Sequence, residues 1–405
     1  MLLKASKVFY FLLLFYYGWF QYVFFQLPNM LMILGMAIIG FIILDALQSN
    51  VSIIRSITPE LLYWIIFAFT SLIFGMFVAV NTDLLISQLS TFMQYILLIL
   101  SIVYISGRDK KLDFFVSTYI AYALLAAVTA LFRGHNYGQG RISLGAINNP
   151  NALGISMAIG VCCILYRLNF QKLTYSVLSF SAIMLLIYTS FLTGSRKALL
   201  SIVIIVVLWF VFIANKEIRA LNSSAKIKGL FLLVLLFLGF YSLLYPVFTN
   251  SLIFLRLRDL FDSGSTARIG MYNEALRFFD RSPIVGIGFN NYRVLSIYKT
   301  YSHSTYAEVL ACTGIIGSFL YLCPYILIFV KYVKLFFSKT IDHTLLKKLR
   351  IIFLLFSALI FLGVGVIHFY EMTSSIAFGY IIAFYKCNID SFSYSRETKS
   401  NSITL

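Results

Sequence analysis

Residues 266–310 read TARIGMYNEALRFFDRSPIVGIGFNNYRVLSIYKTYSHSTYAEVL. The stretch is studded with arginine, punctuated by glycine and followed through His303 by a return to apolar sequence. Nearly everything around it is apolar. Of 405 residues, 60% are hydrophobic and 12% charged, against about 25% charged in a soluble globular chain. Half the usual charge density makes lipid the solvent. A spanning helix needs about 20 mostly apolar residues, and such runs fall near 8–26, 30–48, 61–80, 84–106, 113–132, 148–169, 172–193, 197–214, 228–249, 304–330, 350–370 and 372–386. The pattern predicts an all-α polytopic integral membrane protein with about twelve transmembrane helices. One transmembrane domain covers 1–390, with a long helical extracytoplasmic loop at 250–303 and a polar, disordered cytoplasmic tail at 391–405. The run from Val8 to Phe25 lacks a small-residue cleavage site and reads as a retained span.

Cys162, Cys163, Cys312, Cys323 and Cys387 lie in or beside apolar runs without metal-ligand spacing. They read as packing residues, and no metal or other cofactor is expected. The net charge of +17 reports topology and anionic lipid here, and nucleic acid is not expected as a partner. With both termini in the cytoplasm, 21 of the 32 basic residues fall inside and 11 outside, as the positive-inside rule requires. The inside set is 15 Lys and 6 Arg, and the outside set 9 Arg and 2 Lys. Arginine presents a planar fork of donors suited to phosphate. Its excess on the face where topology disfavours positive charge points to an anionic ligand.

Four outer stretches carry the candidates. In 133–154, Arg141 and the amides of Asn148, Asn149 and Asn151 offer donors to phosphate or sugar hydroxyls. Asn149-Pro150 also fits a helix start, with asparagine as cap and proline first in the helix. In 192–201, Arg196 and Lys197 stand at a helix N-terminus whose dipole favours an anion. Lys197 reads mainly as a snorkelling side chain, Arg196 as a ligand contact. Arg256 and Arg258, also outside, join the substrate-binding candidates.

From Thr266 an amphipathic helix is expected, with Ile269, Tyr272, Ala275, Leu276 and Phe279 on one face and Glu274, Arg277 and Arg281 opposite. Arg268 falls on the apolar side and should point inward. Pro283, Gly286 and Gly288 build a turn suited to bringing backbone amides to a ligand. His303, at the mouth of the next span, can take a proton from a hydroxyl near neutral pH; Glu308 is the alternative, and it also stands with Arg141, Asn151 and Lys197 among the substrate-binding candidates.

These segments, in order, resemble the multi-pass O-antigen ligases and O-antigen or capsular polysaccharide polymerases. GSRKALL (194–200) looks like that family's Ser-Arg signature opening a helix. ARIGMYNEALRFFDRSPIVGIGFNNY (267–292) resembles its Arg, helix, Pro and Gly-x-Gly segment. HSTYAEVLACTGIIG (303–317) resembles its His-Asn, Glu, Gly-x-x-Gly segment, with Ser304 where many members carry Asn, and NNPNALG (148–154) an earlier Pro-Asn element. The resemblance implies an all-helical, C-type, metal-independent inverting glycosyltransferase in the plasma membrane. It would move glycan from a polyprenyl diphosphate to an acceptor hydroxyl on the outer face. Carried over by position, Arg196, Arg268 and His303 are the catalytic core. Lipid-linked oligosaccharide and membrane lipid are the implied ligands, with a chain-length regulator and a flippase as partners.

A polymerase of lipid-linked repeats is the first reading, because tyrosine-rich, lysine-rich chains of this size resemble those of surface polysaccharide clusters. A ligase shares the donor and differs in acceptor. A flippase or other transporter should show intramembrane charges and paired interrupted helices, and apart from Asp45 the spans carry few. In a scaffolding protein the arginine asymmetry would be accidental.

Overall fold

The computed structural model describes residues 1–24, 26–27, 29–136, 141–144, 149–170, 173–214, 241, 266–337 and 341–400. In chain order the helices are α1 (Leu2–Phe15, prolonged by π-turn Tyr16–Phe20 and by Gln21–Val23), α2 (Met30–Ser49), α3 (Pro59–Val78), α4 (Thr82–Asp109) and α5 (Asp113–Arg133). Then come α6 (Pro150–Arg167), α7 (Leu173–Leu192), α8 (Arg196–Trp209, prolonged by π-turn Phe210–Ala214) and α9 (Thr266–Arg281). Short α10 (Tyr292–Leu295), α11 (Thr305–Phe336), α12 (His343–Gly363) and α13 (Met372–Ser400) complete the set. A two-residue antiparallel ribbon pairs His135–Asn136 with Ile142–Ser143.

Among the described residues, eight helices are long and apolar enough to cross a membrane: α2 to α8 and α11. Helices α1, α12 and α13 coincide with three further expected runs. The run at 228–249, and with it Arg256 and Arg258, lies outside the described residues. One correction concerns the C-terminus. Helix α13 continues to Ser400 where a disordered tail was expected, and neither Gly nor Pro interrupts it after Gly379.

The helices start where short polar side chains take up orphan amides. The Asn81 side chain accepts from Leu84 N at 2.9 Å and that of Asn149 from Asn151 N at 2.9 Å, with Pro150 in the first turn. A cap of this kind stabilises a helix by about 1 kcal/mol. Helix α6 forms the centre of the bundle, buried along nearly its whole length. Its glycines allow this: a Cβ on Gly160 would stand 2.8 Å from Ala123 Cβ and Leu186 Cδ1, and one on Gly154 2.8 Å from Ala198 Cβ. Small residues substitute for the missing hydrophobic effect between helices in lipid by letting backbones approach. The outward faces of α2 and α3 carry Met36, Ile43, Phe69 and Phe77, all exposed, as a lipid-facing surface requires.

Charged pairs gather at one end of the bundle. Lys7 meets Asp109, Arg167 and Lys348 share Asp113, and Lys331 meets Glu60. Asp45 is satisfied there too, by Tyr104 Oη at 2.9 Å and Arg108 Nε at 3.5 Å. The starts of α6, α8, α11 and α13 and the end of α12 lie at the other end, where the candidate site is built.

Candidate active site

Arg196 and Lys197 open α8 because the preceding residues force a sharp turn. Gly194 adopts φ +66°, and Thr193 Oγ1 donates to Ser190 O at 2.6 Å while accepting from Ser195 N at 3.2 Å. Ser195 then caps the helix, accepting from Ala198 N at 3.5 Å. Arg141 clamps this turn from outside: Nε donates to Thr193 O at 2.8 Å and Nη2 to Asn151 Oδ1 at 3.0 Å. Arg141 and Asn151 thus brace the turn that presents Arg196. Lys197 does not snorkel as expected. It turns inward, and its Nζ donates to Gly365 O at 2.5 Å, in the turn between α12 and α13.

His303 stands in left-handed backbone, φ +60°, a conformation that costs a non-glycine residue about 1–3 kcal/mol. Its neighbours over-determine it. Ser302 N donates to Glu308 Oε2 at 2.7 Å, and Ser302 Oγ to Ser304 O at 3.1 Å. Ser304 caps α11, accepting from Ala307 N at 3.4 Å, and Thr305 Oγ1 donates to Val366 O at 2.6 Å. Glu308 is fully buried and also accepts from Tyr370 Oη at 3.2 Å. Its carboxylate is therefore taken up in shaping the His303 turn, which corrects its expected place among the ligand contacts. Glu308→Ala should leave the Ser302 amide buried and unpaired, cost about 1–3 kcal/mol and lower turnover through His303. Glu308→Gln, which keeps an acceptor, should recover most of both; equal losses in the two variants would count against the positioning role.

Helix α9 docks by a different face from the one expected. Met271, Ala275 and Phe278 are buried, whereas Ile269 and Leu276 are half exposed. The wheel drawn from sequence was rotated because Tyr292 and the α11 backbone, not an apolar bilayer alone, receive the helix: Phe278 packs edge-on to Tyr292 with centroids 5.6 Å apart. Glu274, expected in solvent, accepts from Ser296 Oγ at 2.5 Å and Ile297 N at 3.0 Å. Arg277 and Arg281 are exposed as expected. Tyr272 Oη donates to Val364 O at 2.9 Å, seating α9 on the same turn that receives Lys197.

The Gly286–Gly288 turn lies backbone to backbone on α11. Ile287 N donates to Ala311 O at 3.1 Å, Gly288 N to Cys312 O at 2.9 Å and Ile315 N to Pro283 O at 2.8 Å. These amides are used internally, so the glycines serve close packing and not, as expected, ligand contact. Helix α11 itself breaks at Gly314 (φ +60°) to accept the loop.

Three cations and a histidine converge as a result. Burial pushes the His303 pKa down to about 4, with Arg268 and then Lys197 adding to the effect. Arg268 and Arg196 both act on the Lys197 ammonium. Arg268, Arg196, Lys197 and His303, brought together from three separate segments, are half-buried. Like charges held at short range in partial burial cost free energy, and only an anion converts that cost into affinity. Residues 181–322 match the family model described as O-antigen ligase. That stretch, about a third of the chain, is similar to the O-antigen ligase family. The matched region holds Arg196, Lys197, Arg268, His303 and Glu308, while Arg141, Asn151 and the turn after α12 lie outside it. No curated relative matches the chain.

Several residues in and around the matched stretch were not legible in the sequence. Tyr301 lies 4.3 Å from the His303 ring between centroids, 6.0 Å from Tyr370, and its hydroxyl accepts from Asn149 Nδ2 at 3.2 Å. The Arg293 guanidinium lies over Tyr370, 4.9 Å from its centroid. Asn290 (φ +63°) accepts from Tyr370 Oη at 2.7 Å, and Asn291 Oδ1 accepts from Asn81 N at 2.8 Å. The doubled asparagine after Gly-x-Gly was the available signal, since asparagine tolerates left-handed backbone and closes local turns. The short polar break His368-Phe369-Tyr370-Glu371 between the last two spans was the other.

Proposed function

We propose that the chain transfers a glycan from a polyprenyl diphosphate to an acceptor hydroxyl at the outer face of the membrane. The observation that carries this reading is the approach of Arg268 and Lys197 to His303, with Arg196 beside Lys197, at one end of a transmembrane bundle. The acceptor oxygen attacks the anomeric carbon as the bond from that carbon to the diphosphate breaks. The electron pair leaves with the diphosphate, and the hydroxyl proton passes to His303. Fixed guanidinium groups stabilise the charge that develops on the leaving group, a contribution set up before reaction and strengthened by exclusion of water. The lipid tail remains in the bilayer while its head reaches the cations. Because these cations supply the compensating charge, a chelator should leave the transfer rate unchanged.

A pH profile tests the role of His303. Its pKa is about 4, so the imidazole is neutral throughout the physiological range. Bound diphosphate offsets Arg268 and Lys197 and raises the imidazole pKa. The acid limb of kcat should therefore lie at higher pH than that of kcat/KM, which reports the free enzyme. A kcat/KM profile falling with a midpoint near the ordinary histidine value of about 6.5 would contradict this. Polymerase, our first reading, and ligase share the chemistry and differ in acceptor. Single-repeat glycan in a deletion strain identifies a polymerase; long polymer left unlinked identifies a ligase.

A further inference from the structure

A cavity of about 680 Å³ opens along α2 and runs to the turn before α13. Its walls are apolar, built from Leu13, Leu31, Ile39 and Leu98, and its rim residues Met32, Met36 and Ile43 are also exposed on the outside of the bundle. The mouth thus lies on a lipid-facing surface within spanning helix α2. Gly35 and Gly40 line it too, and a Cβ on either would meet nothing within 4 Å. These glycines leave room rather than bring helices together.

The inner end is polar and differs in sign from the cationic site. Asn149, Tyr370 and Glu371 close it, with Tyr17, Gln94 and Tyr95 along the approach. No Lys, Arg or His contributes to the lining among the described residues. Glu371 uses its backbone carbonyl to accept from Ser375 Oγ, but its carboxylate has no hydrogen-bond or ion-pair partner among the described residues. Burial alone pushes its pKa up to about 7. Ionised above that pH, a carboxyl at the end of an apolar channel repels a phosphate head, and in either state its oxygens accept hydrogen bonds from hydroxyl groups. The neighbouring tyrosine rings complete a surface for an uncharged sugar.

We propose that this cavity binds a neutral glycolipid, its chain entering sideways from the bilayer along α2 and α4 and its sugar hydrogen-bonded to Glu371. The two lipid sites are then sorted by charge. The diphosphate goes to Arg196, Lys197 and Arg268, and the uncharged head goes to Glu371, with the Tyr301–Tyr370 pair between them. The inference does not rest on the transfer reaction, because occupancy can be read without turnover.

The test uses the full chain reconstituted in phosphatidylcholine vesicles at about pH 8.5, where a carboxyl of that pKa is ionised, photolabelled with diazirine-bearing monoglucosyl diacylglycerol or with phosphatidylglycerol carrying the same chains. The glucosyl lipid should label peptides from 31–43 and 91–101 about tenfold more than the anionic lipid, the scale expected where like charges meet in a dry site. Gly35→Trp should block that labelling, and Gly35→Ala should not. Glu371→Lys should invert the preference, an outcome that a misfolded variant cannot produce. Equal labelling of the wild-type chain by both lipids would overturn the proposal, as would labelling that survives Gly35→Trp. Preferential labelling by a diazirine alkylamine would also overturn it, by making Glu371 the anchor of a cation site.

Discussion

Replacing Arg268 by alanine should lower glycan transfer about 10²–10³-fold, the loss typical of removing one preorganised charge-stabilising donor, without lowering thermal stability. The two halves of this expectation come from the same geometry. Helix α9 is held by Met271, Ala275 and Phe278, by the Tyr272 bond to Val364 O and by Glu274, none of which involves the Arg268 guanidinium. Arg268 opposes Lys197 and disfavours a proton on His303, so its removal relieves repulsion. Lys would keep the charge and lose the bidentate fork, so Arg268→Lys should fall between alanine and wild type. Arg196→Ala should show a similar loss. If both arginines grip one diphosphate, the double variant should lose less than the two single losses multiplied. Single-turnover rates with a synthetic lipid-linked repeat, alongside thermal unfolding in detergent, measure each quantity. Wild-type rates in both alanine variants would remove the basis of the proposed function.

Gly314→Val should have the largest effect on the structure itself. Gly314 sits at φ +60° within α11, and a Cβ there would stand 2.4 Å from Ile284 O and 2.5 Å from Ile284 C. Both obstacles are backbone, so no side-chain rotation relieves them. Gly286 faces the same seam from the other side: its Cβ would stand 2.3 Å from Cys312 C. Valine at 314 must therefore lift the 283–288 turn off α11, breaking the bonds of Ile287, Gly288 and Ile315. The expected cost is more than about 4 kcal/mol, in the range reserved for backbone strain combined with lost buried hydrogen bonds. Because Phe289, one residue on, packs 4.8 Å from Phe369 in the bundle core, the lifted turn also carries away the support beneath Tyr370. Limited proteolysis between 266 and 303 should become fast, and transfer should be lost even though no cation or histidine has changed. Gly40→Ala, in open space within α2, should be neutral or slightly stabilising, since alanine favours helix over glycine by about 1 kcal/mol. A protease-resistant, active Gly314→Val variant would show that the seam does not hold the loop.

The amino-acid sequence by itself determined the solvent, the class and the ingredients. Apolar runs of spanning length leave helices as the only way to satisfy backbone groups in lipid, and eleven of the expected runs coincide with described helices. The Ser195 turn and the Asn149-Pro150 start were legible because caps and prolines act locally, and the proposed Arg196–Arg268–His303 set was named from the sequence because arginine in an outer stretch asks for an anion. Tertiary structure alone decided which groups remain available to a ligand. Glu308 and the Gly286–Gly288 amides looked suited to ligand contact but are taken up by Ser302 and by the α11 backbone. Lys197 looked like a snorkelling cation and turns inward to Gly365. Glu371, passed over in the sequence, is left with an unpaired carboxyl at the end of a cavity. The physical reason is that a polar group's role depends on whether a partner already satisfies it. In this bundle the partners arrive from segments far apart in the chain, a pairing that no local pattern of residues encodes.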